Sequence, residues 1–196
     1  MDNIRHKLDF QPKELILWTL DQNCEYYSHP LGFYYCSLDN NKQQGTKNRL
    51  HLWSPFCVEQ EPRWRIHNHV FNLKSQVILG SITNIGYKLK QGNNHQIYEV
   101  IYQEQDSVLM KTQSKVDVSI AKESLFKQGM EYIVSANELH QSIPENNKLT
   151  ICLCEMVQEN FRTAPLVVGE ISGKEKYIFK RESVAREHIL KLVELV

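Results

Sequence analysis

The sequence predicts an all-β fold, a sandwich or barrel of short strands with a helix near each end. Three observations carry this. The central region, about residues 31–160, breaks into many short β-rich segments. Turn-forming stretches such as QGNNHQ and PENNK separate several of them. Near both ends of the chain, apolar residues recur at helical spacing instead.

The elements follow in order. Residues 12–27 begin with Pro12 and carry Leu15, Ile16, Trp18 and Leu20, which predicts a helix with proline in its first turn. Phe33–Leu38 and Arg49–Trp53 are strand-like, separated by the loop-forming DNNKQQGTKN. Ser75–Ile85 is strand-like and is followed by Gly86. Ile97–Tyr102, Ser107–Thr112, Val116–Ile120, Tyr132–Ser135 and Leu149–Met156 continue the series. Residues 182–196 place Ala185, Ile189, Leu192, Val193 and Val196 three and four apart, an amphipathic helix. It packs either on the outside of the strands or on a second subunit. The 196 residues are read as one domain, long enough to bury a sizeable core without staples.

Composition narrows the function classes. Lys plus Arg equals Asp plus Glu, 23 against 23, so no global basic field draws nucleic acid or an anionic membrane. The five cysteines, Cys24, Cys36, Cys57, Cys152 and Cys154, are odd in number and form no CxxC pair. They are read as reduced thiols of a cytoplasmic protein. The opening MDNIRHKLDF lacks the apolar core of a signal peptide, and no apolar run approaches membrane-spanning length.

The informative stretch is RWRIHNHVFNLKSQVILGSI, residues 63–82. On a strand, His67 and His69 face the same side, with Cα atoms about 6.5–7 Å apart. Two imidazoles so placed can converge on one cation at about 2.0–2.2 Å each. A pair alone binds weakly, and a third ligand must come from elsewhere. Asn68 points the other way.

Downstream, residues 126–144 read FKQGMEYIVSANELHQSIP, with Gly129, a turn at Ser135–Asn137 and His140 at set intervals. These two segments resemble the two sequence motifs of the cupin superfamily. The first motif maps onto His67, His69, Leu73 and Gly80, and the second onto Gly129, Ser135 to Asn137, His140 and Pro144. The resemblance spans about residues 49–156. It implies a double-stranded β-helix barrel with one metal on His67, His69 and His140. The departures are specific. Glu61 stands where a glycine usually opens the first motif, and Leu73 stands at the usual glutamate ligand. Ser135 and Asn137 replace the proline and glycine of the second motif, and asparagine tolerates the left-handed backbone such a turn requires.

A centre of three neutral histidines leaves open coordination positions, which suits Fe(II) and oxygen chemistry. It also suits zinc with an activated water. Fe(II) is favoured, with Zn, Mn or Ni as alternatives. In ligand count the centre is similar to that of the thiol dioxygenases of the cysteine-dioxygenase type. With Leu73 in place, a Cys–Tyr crosslink from that position is excluded. The strand LTICLCEM does not match the Ser-His-Tyr strand of those enzymes.

Candidate substrate-binding residues are Arg49, His51 and Arg65. Arg65 shares the parity of the two histidines, although Arg63 and Arg65 can equally sit in a solvated loop. Arg49, His51 and Trp53 alternate along one strand, and a guanidinium there implies an anionic substrate. His51 is alternatively a core histidine. Cys152 and Cys154 share a face that looks either into the barrel or away from it. Either Ser75 or Gln76 faces inward. His51 or Glu131 could serve as a general acid or base.

The expected function is a metal-dependent enzyme, a non-haem Fe(II) dioxygenase acting on a small, anionic metabolite. The alternatives are a non-redox isomerase, lyase or hydrolase, and a non-catalytic binding module. A small-molecule substrate is the expected partner, with no nucleic acid, no membrane and a homodimer compatible with the terminal helices.

Overall fold

A computed structural model describes residues 11–38, 45–103, 106–159 and 164–196. The N-terminal stretch and most of the DNNKQQGTKN loop lie outside the described residues.

Helix α1, Pro12–Asp21, starts with proline at its first turn, where no intrahelical N–H is needed. The Gln11 N–H donates to Glu14 Oε2 at 3.0 Å, closing a capping box. The helix is shorter than the expected 12–27. Asn23 takes a left-handed φ of 55° and turns the chain, and Tyr26 and Tyr27 enter a strand.

The strands, in chain order, are β1 Tyr26–His29, β2 Phe33–Ser37, β3 Thr46–Trp53, β4 Phe71–Leu79, β5 Ser81–Gln103 and β6 Asp106–Lys127. They continue as β7 Glu131–Val134, β8 Leu139–Pro144, β9 Thr150–Gln158, β10 Leu166–Gly169, β11 Lys176–Phe179 and β12 Ser183–Val184. Helix α2, Arg186–Val193, closes the series. It is shorter than the expected 182–196 because Ser183 and Val184 pair with β1.

Every strand pair is antiparallel. One sheet runs β12-β1-β2-β3-β9-β4-β7. The other runs β10-β5-β6-β11, and β8 also pairs with β5. The edge of β5 away from β6 is thus shared, by β8 along residues 82–87 and by β10 along residues 96–99. The chain is all-β with a helix near each end of the described part, as the sequence predicts. No helix among the described residues is long and apolar enough to cross a membrane.

Two expected boundaries move. Ser75–Ile85 is not one strand, because Gly80 breaks it at a φ of 79°. A Cβ on Gly80 would stand 2.6 Å from Thr150 Oγ1, so only glycine fits. Conversely, Ile97–Tyr102 falls within β5, while Ser107–Thr112 and Val116–Ile120 merge into β6. The polar QGNNHQ stretch, which reads as a turn, is a register shift between Gln91 and His95 inside this long hairpin.

The part of the larger sheet that the helices cover is buried on both faces. Its outer face presents Tyr26, Cys36, Leu50, Leu52 and Ile151 to Leu15, Ile16 and Leu20 of α1 and to Ile189 and Leu192 of α2. Both helices therefore pack on the outside of the strands of their own chain. Each such side chain contributes roughly 1.5–3 kcal/mol by leaving water. The inner face presents Phe33, Tyr35, Trp53, Leu73, Val77, Tyr132, Cys152, Cys154 and Met156. Ile82 of β5 reaches this cluster from the second sheet. The cysteine parity is thereby decided: Cys152 and Cys154 look inward, whereas Ile151 and Leu153 pack toward the helices. No disulfide joins any of the five cysteines.

Candidate metal centre

Residues 63–70 form no regular strand, in contrast to the strand expected for His67 and His69. The segment is instead tied to two strands at once. His67 bridges to His140 of β8 and to Val167 of β10. The His67 N–H donates to the His140 carbonyl at 3.0 Å, and the His140 N–H donates back to the His67 carbonyl at 2.8 Å. The Val168 N–H donates to the Ile66 carbonyl at 2.9 Å, and the Asn68 N–H to the Leu166 carbonyl at 3.0 Å.

His69 is fixed from the other motif. The Asn137 N–H donates to the His69 carbonyl at 2.8 Å, from a turn in which Asn137 takes a φ of 64°. Asparagine thus fills the left-handed position as its chemistry allows. The His69 ring stacks on Phe71, with centroids 4.6 Å apart and planes 11° apart.

The structure brings His67, His69 and His140 together, with one donor atom from each lying within 4.8 Å of the others. His67 Nε2 and His69 Nε2 stand 3.1 Å apart. Ligand atoms around one ion at about 2.1 Å stand roughly 3–3.5 Å apart, the spacing that His67 and His69 already have.

The outer nitrogens decide which inner nitrogens are free. His67 Nδ1 lies 2.8 Å from the Arg65 carbonyl, an acceptor only, so Nδ1 carries the proton and Nε2 keeps its lone pair. His140 Nδ1 lies 2.9 Å from Asn84 Oδ1, with the same consequence. His140 Nε2 is then buried with no partner, and so is His69 Nδ1. Orphaned buried nitrogens are rare in folded proteins, and a cation accepts such a lone pair.

The rings are held neutral. Burial pushes His69 and His140 well below the usual histidine range, with the neighbouring histidines adding to it. Burial lowers His67 too, opposed by the Arg65 carbonyl. Neutral imidazoles are the form that ligates. The residues therefore fit a divalent metal ion, with no carboxylate in the set.

The other candidates fall in different places. Leu73 is buried on β4 opposite Val134 and Met156, in apolar surroundings. Arg65 does not point its charge into the barrel: Glu59 takes it up through Nε at 2.9 Å and Nη2 at 2.6 Å, and its side chain is 47% exposed. Glu131 is also removed from the interior, half-exposed and ion-paired with Lys74 at 3.1 Å. Arg49 and His51 are on the inner face of β3, opposite Cys154 and Cys152 of β9. Ser75, rather than Gln76, is the buried one of that pair, 3.6 Å from Cys154 Sγ.

Three interior residues escaped the sequence reading. Asn84 sets the His140 tautomer. His29 stacks on Phe33 at 4.2 Å, and burial, with Arg181, His51, His67 and Arg49 adding to it, holds it well below the usual histidine range. Arg181 donates to Ser107 Oγ at 2.6 Å and lies 5.7 Å from the Tyr102 ring centroid. None of the three belongs to a local pattern; only the topology brings β1, β5 and the segment after β11 together.

No family model matches this chain. No curated protein matches it either. Solved structures do resemble it. One is a cupin-like protein of Thermotoga maritima, 10% identical, with a TM-score of 0.35 over 85% of this chain and 87% of that one. Another is a protein of Shewanella oneidensis, 12% identical, with a TM-score of 0.32 over 94% of this chain and 91% of that one. Scores of this size carry no argument about chemistry, which rests on the three histidines themselves.

Proposed function

We propose that this chain is a metal-dependent enzyme of the cupin type, a non-haem Fe(II) dioxygenase acting on a small anionic metabolite. One observation carries the reading: three neutral imidazoles converge, two of them with the outer nitrogen bound to an oxygen acceptor. That is how protein metal sites orient histidine ligands. A divalent ion held there would supply Lewis acidity and open positions for dioxygen and substrate.

The chain's own residues supply the rest. His67, His69 and His140 would hold the ion. Asn84 and the Arg65 carbonyl keep the ligating nitrogens deprotonated. Phe71, Phe33, Trp53 and Tyr35 line the nearby interior with aromatic surface that excludes water. Unlike Arg65, Arg49 and His51 belong to the inner face, and their buried, unpartnered Nε and Nε2 support a role in holding the substrate. A small-molecule partner, a cytoplasmic setting and a homodimer belong to the same proposal. The thiols, none of them in a disulfide, suit a reducing compartment.

The zinc alternative keeps one specific support, since three histidines and a water also make a hydrolytic centre. Elemental analysis of the protein as purified, repeated on His67→Ala, tests the metal centre, with metal expected in the first and lost from the second. Oxygen consumption after loading with ferrous ion tests the chemistry. Equal metal in both proteins removes the centre. A zinc-only protein that never consumes oxygen moves the reading to non-redox chemistry.

A further inference from the structure

Arg49 is a cation placed where cations are costly. It projects from the inner face of β3 beside Cys154 of β9 and Ser37 of β2. Its guanidinium carbon lies 4.7 Å from the centroid of the Tyr35 ring. Nε is buried and has no hydrogen-bond partner. It makes no ion pair among the described residues. The charges acting on it come from Tyr35, Arg181, Tyr102 and Cys154, and among these Arg181 is a second cation. Arginine cannot shed its proton to relieve this. A ring face gives it only a weak partner.

Two residues along the same face, His51 repeats the pattern. Its Nδ1 lies 3.5 Å from Cys154 Sγ, and its Nε2 is buried without a partner. This group is contiguous with the histidine centre: Phe33, 4.7 Å from the His51 ring, shares one inner cluster with Phe71, which stacks on His69. Arg49 Nε and His51 Nε2 share one inner face, and among the described residues no carboxylate pairs the buried cation, so an oxyanion is the group that would satisfy it.

We propose that Arg49, with the unpaired His51 Nε2 beside it and Arg181 nearby, anchors the oxyanion group of a small ligand, a carboxylate or a phosphate, inside the barrel next to the three histidines. The guanidinium fork matches two oxygens at once. This deepens the reading above and rests on it only for the ligand's place beside a metal. The anchor itself needs no ion.

The test titrates inorganic phosphate and, separately, acetate into wild type, Arg49→Lys, Arg49→Gln and His140→Ala, with chloride-matched controls. The readouts are the thermal unfolding midpoint and the assigned Arg49 Nε–H resonance. Wild type and His140→Ala should both show a saturable rise in midpoint and a shift of that resonance. Arg49→Gln should bind about tenfold to a hundredfold more weakly, the expected loss of a charged two-point contact. Arg49→Lys should fall between, keeping charge without the fork. A response to phosphate alone identifies a phosphate ligand, and one to acetate alone a carboxylate. No response in wild type to either anion overturns the anchor, and so does an equal response in Arg49→Lys and wild type. If Arg49→Gln does not fold, the wild-type resonance and Arg49→Lys still decide. Metal content of the same samples separates the two readings. Metal without an anion response sinks the anchor alone, and an anion response in a wild type that holds no metal sinks the metal centre alone.

Discussion

On β3, Leu50 and Leu52 point out to the two helices, while Arg49, His51 and Trp53 point into the barrel. Both faces are covered, so alternation here does not separate core from solvent. Where the helices cover it, the outer face is apolar, built from Tyr26, Cys36, Leu50, Leu52 and Ile151. The inner side of the barrel carries Arg49 Nε, His51 Nε2, His69 Nδ1 and His140 Nε2, all buried and without partners. A fold that can build the outer face has no packing reason to build the inner one. The difference teaches that outer burial holds the sheet together, while the inner face keeps buried polar atoms that packing among the described residues does not satisfy.

The largest expected effect lies on the outer face. Leu52→Ala, at a fully buried position among the helix-facing side chains, should lower stability by about 2–5 kcal/mol. Urea unfolding measures this, and metal content per folded chain should not change. A loss of metal in the folded protein would break the division between the faces.

Next comes Asn84→Ala. It removes the acceptor that holds the proton on His140 Nδ1, so metal affinity should fall about tenfold to a hundredfold. Competition with a chelator reads it. Unchanged affinity would mean that Asn84 does not orient the ligand.

A smaller effect is a pH dependence confined to the inner face. Burial, helped by Arg49, pushes His51 down to about 3. An unfolded chain has this histidine near its ordinary value of about 6.5. Between those values the unfolded chain binds a proton that the folded one refuses. Stability is therefore present above pH 6.5 and lost as pH falls through that window, by at most about 1.4 kcal/mol per pH unit for this group. His51→Gln should reduce the slope by its own share, the buried His29, His67, His69 and His140 supplying the rest, and Leu50→Ala should leave it as it is. Unfolding free energy measured from pH 7 to pH 4.5 makes the comparison.

The smallest effect on ligand binding is that of Arg65→Ala. Its ion pair joins a half-exposed guanidinium to a Glu59 carboxylate only 9% exposed, so the loss should fall on stability, by about 1–3 kcal/mol, and leave ligand binding unchanged. A large loss of ligand binding in this variant would return Arg65 to the interior.

The histidine centre was legible because each motif is short and keeps fixed spacing. His67 and His69 are two apart, and extended backbone suffices to aim both rings, even without the expected strand. The turn ending at Asn137 survives the loss of proline and glycine because asparagine holds the same backbone angle. The helices were legible in their apolar spacing but not in their ends, since Tyr26 and Ser183 belong to strands whose pairing is non-local. The long β5–β6 hairpin was not legible as such. Its polar interruption looks like a turn in sequence, yet cross-strand pairing carries it through as a bulge. Asn84, His29 and Arg181 could not be found, because each acts across the barrel on residues far away in the chain.

The reciprocal backbone pair between His67 and His140 has a consequence for rates. Two ligands whose main chains grip each other do not drift apart when the ion leaves. The empty centre keeps its spacing, and reloading needs no refolding step. Exchange of the ion would then be paced by the breaking of its bonds to the rings rather than by motions of the chain.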